Sequence, residues 1–343
     1  MHLNNDFYLL VSSNLIHDYS RLASSKPICP GASTKWKAQE ISNLIWAFAT
    51  LNVESNDLIE SFTPHIIRLC SLGKPSYSVE SIAQSIKRQE AANLAWSCAV
   101  LQEYPEELMP LLYTAMFGED STDPKYLQQV YDDDGVQKQS VMTMFYVQMA
   151  LQMEAPSLGL KLPPNFPIGW QEGDSISKMK KMTANEVDNS MLQLTTSKLQ
   201  QKVSQTLNSI GFDHKVEHVI STDDLEQDCG VYLSSVNQEF LSLDIANLEQ
   251  KIGIEVDGPG HFVNVIDSSN DNTSNEIGGE ISTGKGKRGW EFTANGSQQV
   301  NGPTALKHRL MLLLGWKIAH IPYFEWRQNE DKEEYCKNLL KEL

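Results

Sequence analysis

The sequence lacks several features that mark common classes of binding protein. Its five cysteines are odd in number and widely spaced, and no Cys-x-x-Cys pair occurs, which argues against a zinc site and for a reducing compartment. No run reaches the roughly 18 apolar residues of a membrane span, so we expect no membrane partner. The first 30 residues show neither a signal-peptide layout nor the basic character of an organellar presequence.

Positive charge is also scarce. The 343 residues contain 28 Lys and Arg against 44 Asp and Glu, a net charge of −16, which speaks against a broadly basic nucleic-acid binder. The imbalance is uneven, because residues 251–343 contain 11 Lys and Arg and 13 Asp and Glu, a net charge of −2. Nucleic-acid binding would therefore depend on local basic groups rather than on the global charge.

The N-terminal part contains an internal repeat with a period of 50 residues. Residues 39–51 (QEISNLIWAFATL) recur at 89–101 (QEAANLAWSCAVL), and a fainter third copy occupies 139–151 (QSVMTMFYVQMAL). Apolar residues within each copy fall three and four apart, which is the helical period. Helices that recur at a fixed period indicate a solenoid-like α-helical repeat region, here over residues 1–154, whose concave surface would carry its function.

The same place in each copy holds an aromatic residue. These residues are Trp46, Trp96 and Tyr146. Because each lies within an apolar helical stripe, we interpret the two tryptophans as core residues rather than as platforms on which a base stacks.

A second domain follows a proline-containing linker, which we place at residues 155–189. From residue 190 to 343 the pattern predicts helices at 192–210, 303–314 and 331–343, strands at 212–220, 240–246, 252–257 and 316–321, and a turn at 322–326. This order predicts a small α/β domain on a short sheet. Residues 264–300 are rich in Ser, Asn and Gly, and we interpret them as a long surface insertion.

The strand at 252–257 (IGIEVD) organises this second domain. Its apolar residues alternate with others, which puts Glu255 and Asp257 on one face, roughly 7 Å apart. A Gly-Pro-Gly turn follows and brings His261 close to the two acids. Carboxylates on a dry face are costly, so we expect a metal, a basic partner or water beside them. Alternatively, they pair internally with Lys307 or His308 and fix the packing of sheet and helix.

Four motifs in this part resemble the RAP domain. They are residues 254–262 (IEVDGPGHF), 301–310 (NGPTALKHRL), 314–317 (LGWK) and 321–326 (IPYFEW), which follow the family's order. The repeats before them resemble those of FAST-kinase-like and octotricopeptide-repeat proteins. The resemblance implies an RNA-binding factor in organellar RNA processing, stability or ribosomal RNA maturation. It also implies a location in the mitochondrion, or alternatively the plastid, with other RNA-processing proteins bound through the repeats.

Local basic and aromatic groups are the candidates for RNA contact. The basic candidates are Lys285, Lys287, Arg288, Lys307, His308 and Arg309, and the stacking candidates are Trp290, Tyr323 and Trp326. The alternative for Lys307 and Arg309 is that they solvate a helix, and the alternative for the cluster at 285–288 is a solubilising loop. Trp316 stands at a strand start beside apolar residues, so we expect it in the core.

RAP domains in turn resemble PD-(D/E)XK nucleases of the very short patch repair type, which implies a restriction-endonuclease-like fold. On this resemblance Asp244 and Glu255 would hold Mg²⁺ and would be catalytic together with Asp257, which replaces the usual Lys. His261 or Lys307 would orient water. The alternatives to a non-catalytic RNA-binding factor are therefore a Mg²⁺-dependent endoribonuclease, against which the missing Lys counts, and a protein-interaction scaffold.

Overall fold

The computed structural model describes residues 37–53, 58–71, 85–118, 138–163, 197–220, 241–264 and 298–343. Within these ranges the chain is a mixture of helix and sheet, with a helical first part and a small sheet in the second. Among the helices of these ranges, none has both the length and the apolar character that crossing a bilayer requires.

Five helices make up the described first part. They are α1 (Ala38–Thr50), α2 (Leu58–Ser71), α3 (Arg88–Leu101), α4 (Leu108–Phe117) and α5 (Lys138–Glu154). The three repeat copies form α1, α3 and α5, and α3 packs between the other two. The recurring Glu40 and Glu90 accept hydrogen bonds from the backbone N–H groups of Lys37 and Lys87, at 3.0 and 2.8 Å. Each repeated Glu thus satisfies a backbone donor at the start of its helix.

A four-stranded sheet forms the centre of the second part. Its helices are α6 (Lys198–Ser209), α7 (Gly302–Leu313), α8 (Tyr323–Gln328) and α9 (Lys332–Lys341), and its strands are β1 (Lys215–Val219), β2 (Ser242–Asn247), β3 (Ile252–Asp257), β4 (Phe262–Asn264), β5 (Gln298–Val300) and β6 (Lys317–Pro322). The sheet order is β1-β2-β3-β6, in which β3 and β6 are parallel and the other neighbours are antiparallel. β4 and β5 form a separate antiparallel pair.

The structure agrees with most of the elements predicted for the second part. Strand β3 has the predicted bounds, and α7 differs from its prediction by one residue at each end. Gly315 follows α7 with a φ of +83°, a left-handed conformation that favours glycine. The turn predicted at 322–326 is wrong, because Pro322 ends β6 and the residues after it form helix α8. The Tyr335 hydroxyl, from α9, donates to Glu325 at 2.8 Å and holds this short helix.

The ends of the predicted insertion pair with each other. β4 ends at Asn264, where the insertion was expected to begin, and β5 covers its last residues. The intervening residues 265–297 lie outside the described ranges.

Two apolar cores cover the two faces of the sheet. On one face, α6 and α9 pack over a core that includes Val203, Leu207, Ile245, Ile254, Ile321 and Trp326. On the other face, α7 and the repeat helices form one continuous core, which includes Ile45, Leu94, Phe145, Leu243, Leu310 and Trp316. Trp316 is therefore a core residue, as expected. The helical part and the sheet share this second core, so burial of apolar surface binds them to each other.

The first residues of the predicted linker belong to the helical part. A short 3-10 turn (Pro156–Leu158) follows α5, and Leu158, Leu160 and Leu162 pack against the shared core. The side-chain amide of Gln148 donates to the carbonyl of Leu160 at 3.0 Å. The rest of the predicted linker, residues 164–189, lies outside the described ranges.

Arg309 connects α7 to the ends of two repeat helices. Its Nε lies 2.5 Å from Oε1 of Glu154, at the end of α5, and the same guanidinium donates to the carbonyls of Ala99 and Val100 at the end of α3. The Arg309 and Glu154 side chains are only 12% and 11% exposed. The guanidinium has several donors in one plane, so it can bind the Glu154 carboxylate and the α3 carbonyls together. Its positive charge also lies at the negative end of the α3 dipole.

The start of α7 packs directly on the end of α1. A Cβ added at Gly302 would lie 1.9 Å from the carbonyl oxygen of Ala49 and 2.8 Å from Cγ1 of Val100. Glycine is therefore required here by the close approach of two backbones.

We predict that Gly302→Ala lowers the free energy of unfolding by about 1–3 kcal/mol, because the methyl group overfills this contact. Urea unfolding of the full chain measures the change. Gly260→Ala is the matched control, since nothing lies within 4 Å of its added Cβ, and we expect a change within about 0.5 kcal/mol. Equal stability of the Gly302 variant and the wild type would contradict the close packing of α7 on α1.

Candidate functional site

The two carboxylates of β3 are buried and face α7 and β6. Glu255 is 6% exposed and Asp257 is fully buried. Nζ of Lys307, on α7, lies 2.7 Å from Oε2 of Glu255. Nδ1 of His320, on β6, lies 2.6 Å from Oδ2 of Asp257. Each acid thus has a basic partner from a neighbouring element. The Glu255–Lys307 pair is the internal pairing that the sequence left open, whereas Asp257 pairs with His320 and not with His308.

The Glu255–Lys307 pair is a buried ion pair. Burial raises the pKa of Glu255, and the positive charge of Lys307 opposes that rise. Burial acts to lower the pKa of Lys307, but Glu255 and Asp244 outweigh it and the net effect is a raised pKa. Lys307 therefore holds its proton. Removing either partner of such a pair leaves an uncompensated buried charge, which typically costs about 3–5 kcal/mol.

A chain of hydrogen bonds runs from Asp257 through two histidines. His320 donates from Nδ1 to Asp257, and its Nε2 lies 2.8 Å from Nδ1 of His308. Burial, together with the nearby His320, lowers the pKa of His308 to about 3. The pKa of Asp257 is also lowered: its burial acts to raise it, but the contact with His320 prevails. His308 is thus a neutral imidazole at pH 7.

Asp244 lies close to Lys307 and Asp257, but its carboxylate binds the backbone of β3. Its Oδ2 accepts a hydrogen bond from the backbone N–H of Val256 at 2.8 Å. Burial raises its pKa, and the bond from Val256 and the charge of Lys307 oppose the rise. Gln200, from α6, donates to the Asp244 carbonyl and to the Glu217 carboxylate.

The proposed magnesium ligands do not fit a metal site. Asp244, Glu255 and Asp257 each commit one carboxylate oxygen to an N–H group of the protein. Among the residues of the described ranges, no group of three or more His, Cys, Asp or Glu side chains is arranged to hold a metal ion. We therefore derive no step of a reaction through Mg²⁺.

The Asn-Gly-Pro-Thr motif explains how the turn after β3 is held. Asn301 caps α7 by accepting from the backbone N–H of Thr304 at 3.0 Å, and its side-chain amide donates to the carbonyl of Gly260 at 2.7 Å. Its backbone N–H donates to the carbonyl of His261. Nδ1 of His261 is then 3.0 Å from Oγ1 of Thr304 and 3.3 Å from Oδ1 of Asp257. One asparagine therefore fixes both the helix start and His261.

A pocket of about 230 Å³ lies where the repeats meet this charged group. Trp96 of α3 and Tyr146 of α5 form part of its wall from the repeat side. Its polar lining consists of Glu255, His261, Thr304, Lys307, His308 and His320. The pocket therefore combines aromatic side chains, an acid and a cation, and it draws on both parts of the chain.

A half-buried aromatic cluster lies beyond the carboxyl ends of β3 and β6. Phe262 has its ring centre 6.2 Å from that of Tyr323 and 5.2 Å from that of Phe324. The guanidinium of the exposed Arg327 lies 5.3 Å from the centre of the Tyr323 ring. The carboxyl ends of parallel strands are a common location for ligand sites in α/β folds. This aromatic cluster, Phe262–Tyr323–Phe324 with Arg327, places flat apolar faces beside a positive charge.

The structure separates the residues predicted for RNA contact. Tyr323 belongs to the aromatic cluster, and Lys307 lines the pocket with its side chain 27% exposed. His308 and Trp326 are buried, at 7% and 6% exposed, and Arg309 is held at the junction with the repeats. The cluster of Lys285, Lys287 and Arg288, and also Trp290, lies outside the described residues.

Sequence reasoning missed several residues of these two sites. Phe262, Phe324 and Arg327 were not named as RNA contacts, although the two phenylalanines lie within the quoted motifs. Trp96 was assigned to the core, and it packs against the core while staying partly buried. Tyr146, at the same repeat position, was given no role and is also partly buried. The 50-residue recurrence of an aromatic residue at one helical position was the signal that could have drawn attention to Trp96 and Tyr146.

Comparison with known proteins identifies this part of the chain. The RAP domain family model matches residues 254–339, so the chain carries a RAP domain. The matched range includes the acids of β3, helix α7 and the aromatic cluster. RAP domains are associated with RNA binding in organellar proteins.

A relative from Oryza sativa subsp. japonica, named "RAP domain-containing protein, chloroplastic", is 20% identical over 358 residues. The alignment covers 96% of this chain and 46% of the relative. The chain thus spans about half the length of that relative, and the similarity extends over the helical part as well as the RAP domain.

We predict that stability falls as pH decreases from 6.5 towards 3, in part because of His308. An unfolded histidine has a pKa of about 6.5, whereas that of folded His308 is about 3. The unfolded chain therefore binds more protons in this window, and His308 contributes at most about 1.4 kcal/mol per pH unit to the loss. Urea midpoints of wild type and His308→Gln across this range measure the contribution. An equally steep pH dependence in the variant would contradict a buried neutral His308.

Proposed function

We propose that this chain binds single-stranded RNA through its RAP domain, in organellar RNA processing, stability or ribosomal RNA maturation. The observation that carries the proposal is the aromatic cluster with Arg327 at the carboxyl ends of β3 and β6. Unpaired bases stack on aromatic rings and on guanidinium planes, and this stacking tolerates any sequence. The association of RAP domains with RNA supports the same conclusion.

The charge distribution fits a local interface of this kind. The whole chain carries −16, but residues 251–343 are nearly neutral. Arg327 is exposed, and the side chains of His261 and Lys307 are 44% and 27% exposed. Phosphate groups would meet the cations Arg327 and Lys307, while the buried acids of β3 are already paired. Such an interface gives modest affinity with a low salt dependence, because few phosphates are contacted.

The organelle is part of the proposal. The similarity to a chloroplastic protein supports an organellar location. The mitochondrion, with the plastid as the alternative, stays a prediction. Binding of other RNA-processing proteins through the helical repeats stays a prediction.

We do not propose metal-dependent RNA hydrolysis, because Asp244, Glu255 and Asp257 do not fit a metal site. An RNA-binding assay with labelled RNA tests this point when it is run with and without Mg²⁺. Mg²⁺-dependent cleavage that disappears in Glu255→Ala would favour the endoribonuclease alternative. The absence of any retained RNA would instead favour the protein-interaction scaffold.

We predict that Tyr323→Ala weakens binding of single-stranded RNA roughly tenfold, because base stacking on an aromatic ring contributes about 1–3 kcal/mol. Arg327→Glu should weaken binding and lower the slope of log affinity against log salt by about one, as expected for a lost phosphate contact. Filter binding at several salt concentrations measures both effects.

Lys337→Glu is the charge-matched control for Arg327→Glu. Lys337 is exposed on α9 and pairs weakly with Glu333 at 3.8 Å. We expect a smaller loss of affinity in this control than in Arg327→Glu. Equal losses in the two charge reversals, together with unchanged binding of Tyr323→Ala, would remove the aromatic cluster from the RNA interface.

A further inference from the structure

One residue that lines the pocket between the repeats and the RAP domain carries an acceptor without a partner. Glu255 is 6% exposed, and its Oε2 accepts from Lys307, but its Oε1 is buried with no hydrogen-bond partner. Glu255 lines the pocket. An unsatisfied buried acceptor of this kind is costly, and a ligand that supplies an N–H group would remove the cost.

The other walls of the pocket restrict what that ligand can be. Trp96 and Tyr146 offer aromatic surface, and Leu306, Met311 and Ile318 offer apolar surface. Lys307 stands beside the acceptor as a donor. The ligand is therefore flat or apolar over most of its surface, and it carries a hydrogen-bond donor next to an acceptor on one edge.

The pocket volume limits the ligand to one small group. About 230 Å³ lies below the roughly 300–1,000 Å³ of pockets for drug-sized ligands. A purely apolar ligand would leave Oε1 of Glu255 unsatisfied. A nucleobase has the required size, flat faces, and an edge on which an N–H donor adjoins an acceptor.

We propose that this pocket holds a single unpaired base of the RNA that the RAP domain binds, an inference that rests on the proposed function. The base lies against Trp96 and Tyr146, its N–H donates to Oε1 of Glu255, and Nζ of Lys307 donates to the adjacent acceptor. This is the way in which proteins read an extruded base, by stacking and by contact with its Watson–Crick edge.

The path into the pocket starts at the aromatic cluster. His261 lines the pocket and immediately precedes Phe262, which belongs to the cluster. Because these two residues are adjacent in the chain, we place the nucleotide next to the bound base on the aromatic cluster. In this arrangement the repeats contribute to RNA binding through Trp96 of α3 and Tyr146 of α5.

Photo-crosslinking of the full chain tests this inference. Single-stranded RNA containing 4-thiouridine is irradiated with the protein, and the modified residues are mapped by mass spectrometry. We expect crosslinks at Trp96 or Tyr146 in addition to the aromatic cluster. Crosslinks confined to the aromatic cluster would overturn the pocket inference and leave RNA binding intact, whereas a lack of any bound RNA would overturn the proposed function itself.

Substitution of two equivalent tryptophans provides a matched comparison. Trp96→Leu should weaken RNA binding roughly tenfold, because it removes a stacking surface. Trp46→Leu changes the same repeat position in α1, which does not line the pocket, and we expect affinity within twofold of the wild type. Urea unfolding verifies that both variants fold. If Trp96→Leu does not fold, the crosslinks of the wild-type chain decide the question. Equal affinities of two folded variants would contradict a base in the pocket.

Discussion

The need to pair two buried carboxylates on one strand shapes the rest of this structure. Glu255 and Asp257 stand inside a sheet whose two faces are both covered, where an unpaired charge would be prohibitively costly. Lys307, on helix α7, pairs with Glu255, and His320, on the adjacent parallel strand β6, pairs with Asp257. The sheet and the helix can assemble only in the arrangement that brings these partners together.

Helix α7 also decides how the repeats and the RAP domain are joined. Lys307 turns towards the sheet, while Arg309, two residues later, reaches the ends of α3 and α5. Residues two apart lie on different sides of a helix, so one segment contacts both parts. The start of α7 lies so close to α1 that only glycine fits at position 302. The pocket at this junction exists because the two parts share a core.

Much of the second part could be predicted from local pattern. The alternation in β3, the proline and glycine that bound α7, and the apolar setting of Trp316 each reflect interactions within a few residues. The segment at 322–326 was predicted wrongly because its structure depends on contacts that are distant in the chain. Its helix is held by Tyr335 and by packing of Trp326 in the second core, contacts that no local pattern contains. The roles expected for His308 and Arg309 likewise ignored partners 12 and 155 residues away.

The sequence by itself determined the repeat period, the strand that carries two acids on one face, and the motifs of a RAP domain. These follow from the periods of helix and strand and from the turn chemistry of Gly, Pro and Asn. Only the tertiary structure decided which basic residue pairs with which acid, which aromatic residues stay partly exposed, and where the repeats meet the sheet. Pairing and burial depend on residues distant in the chain, and a one-dimensional pattern specifies the face of an element but not what lies against it.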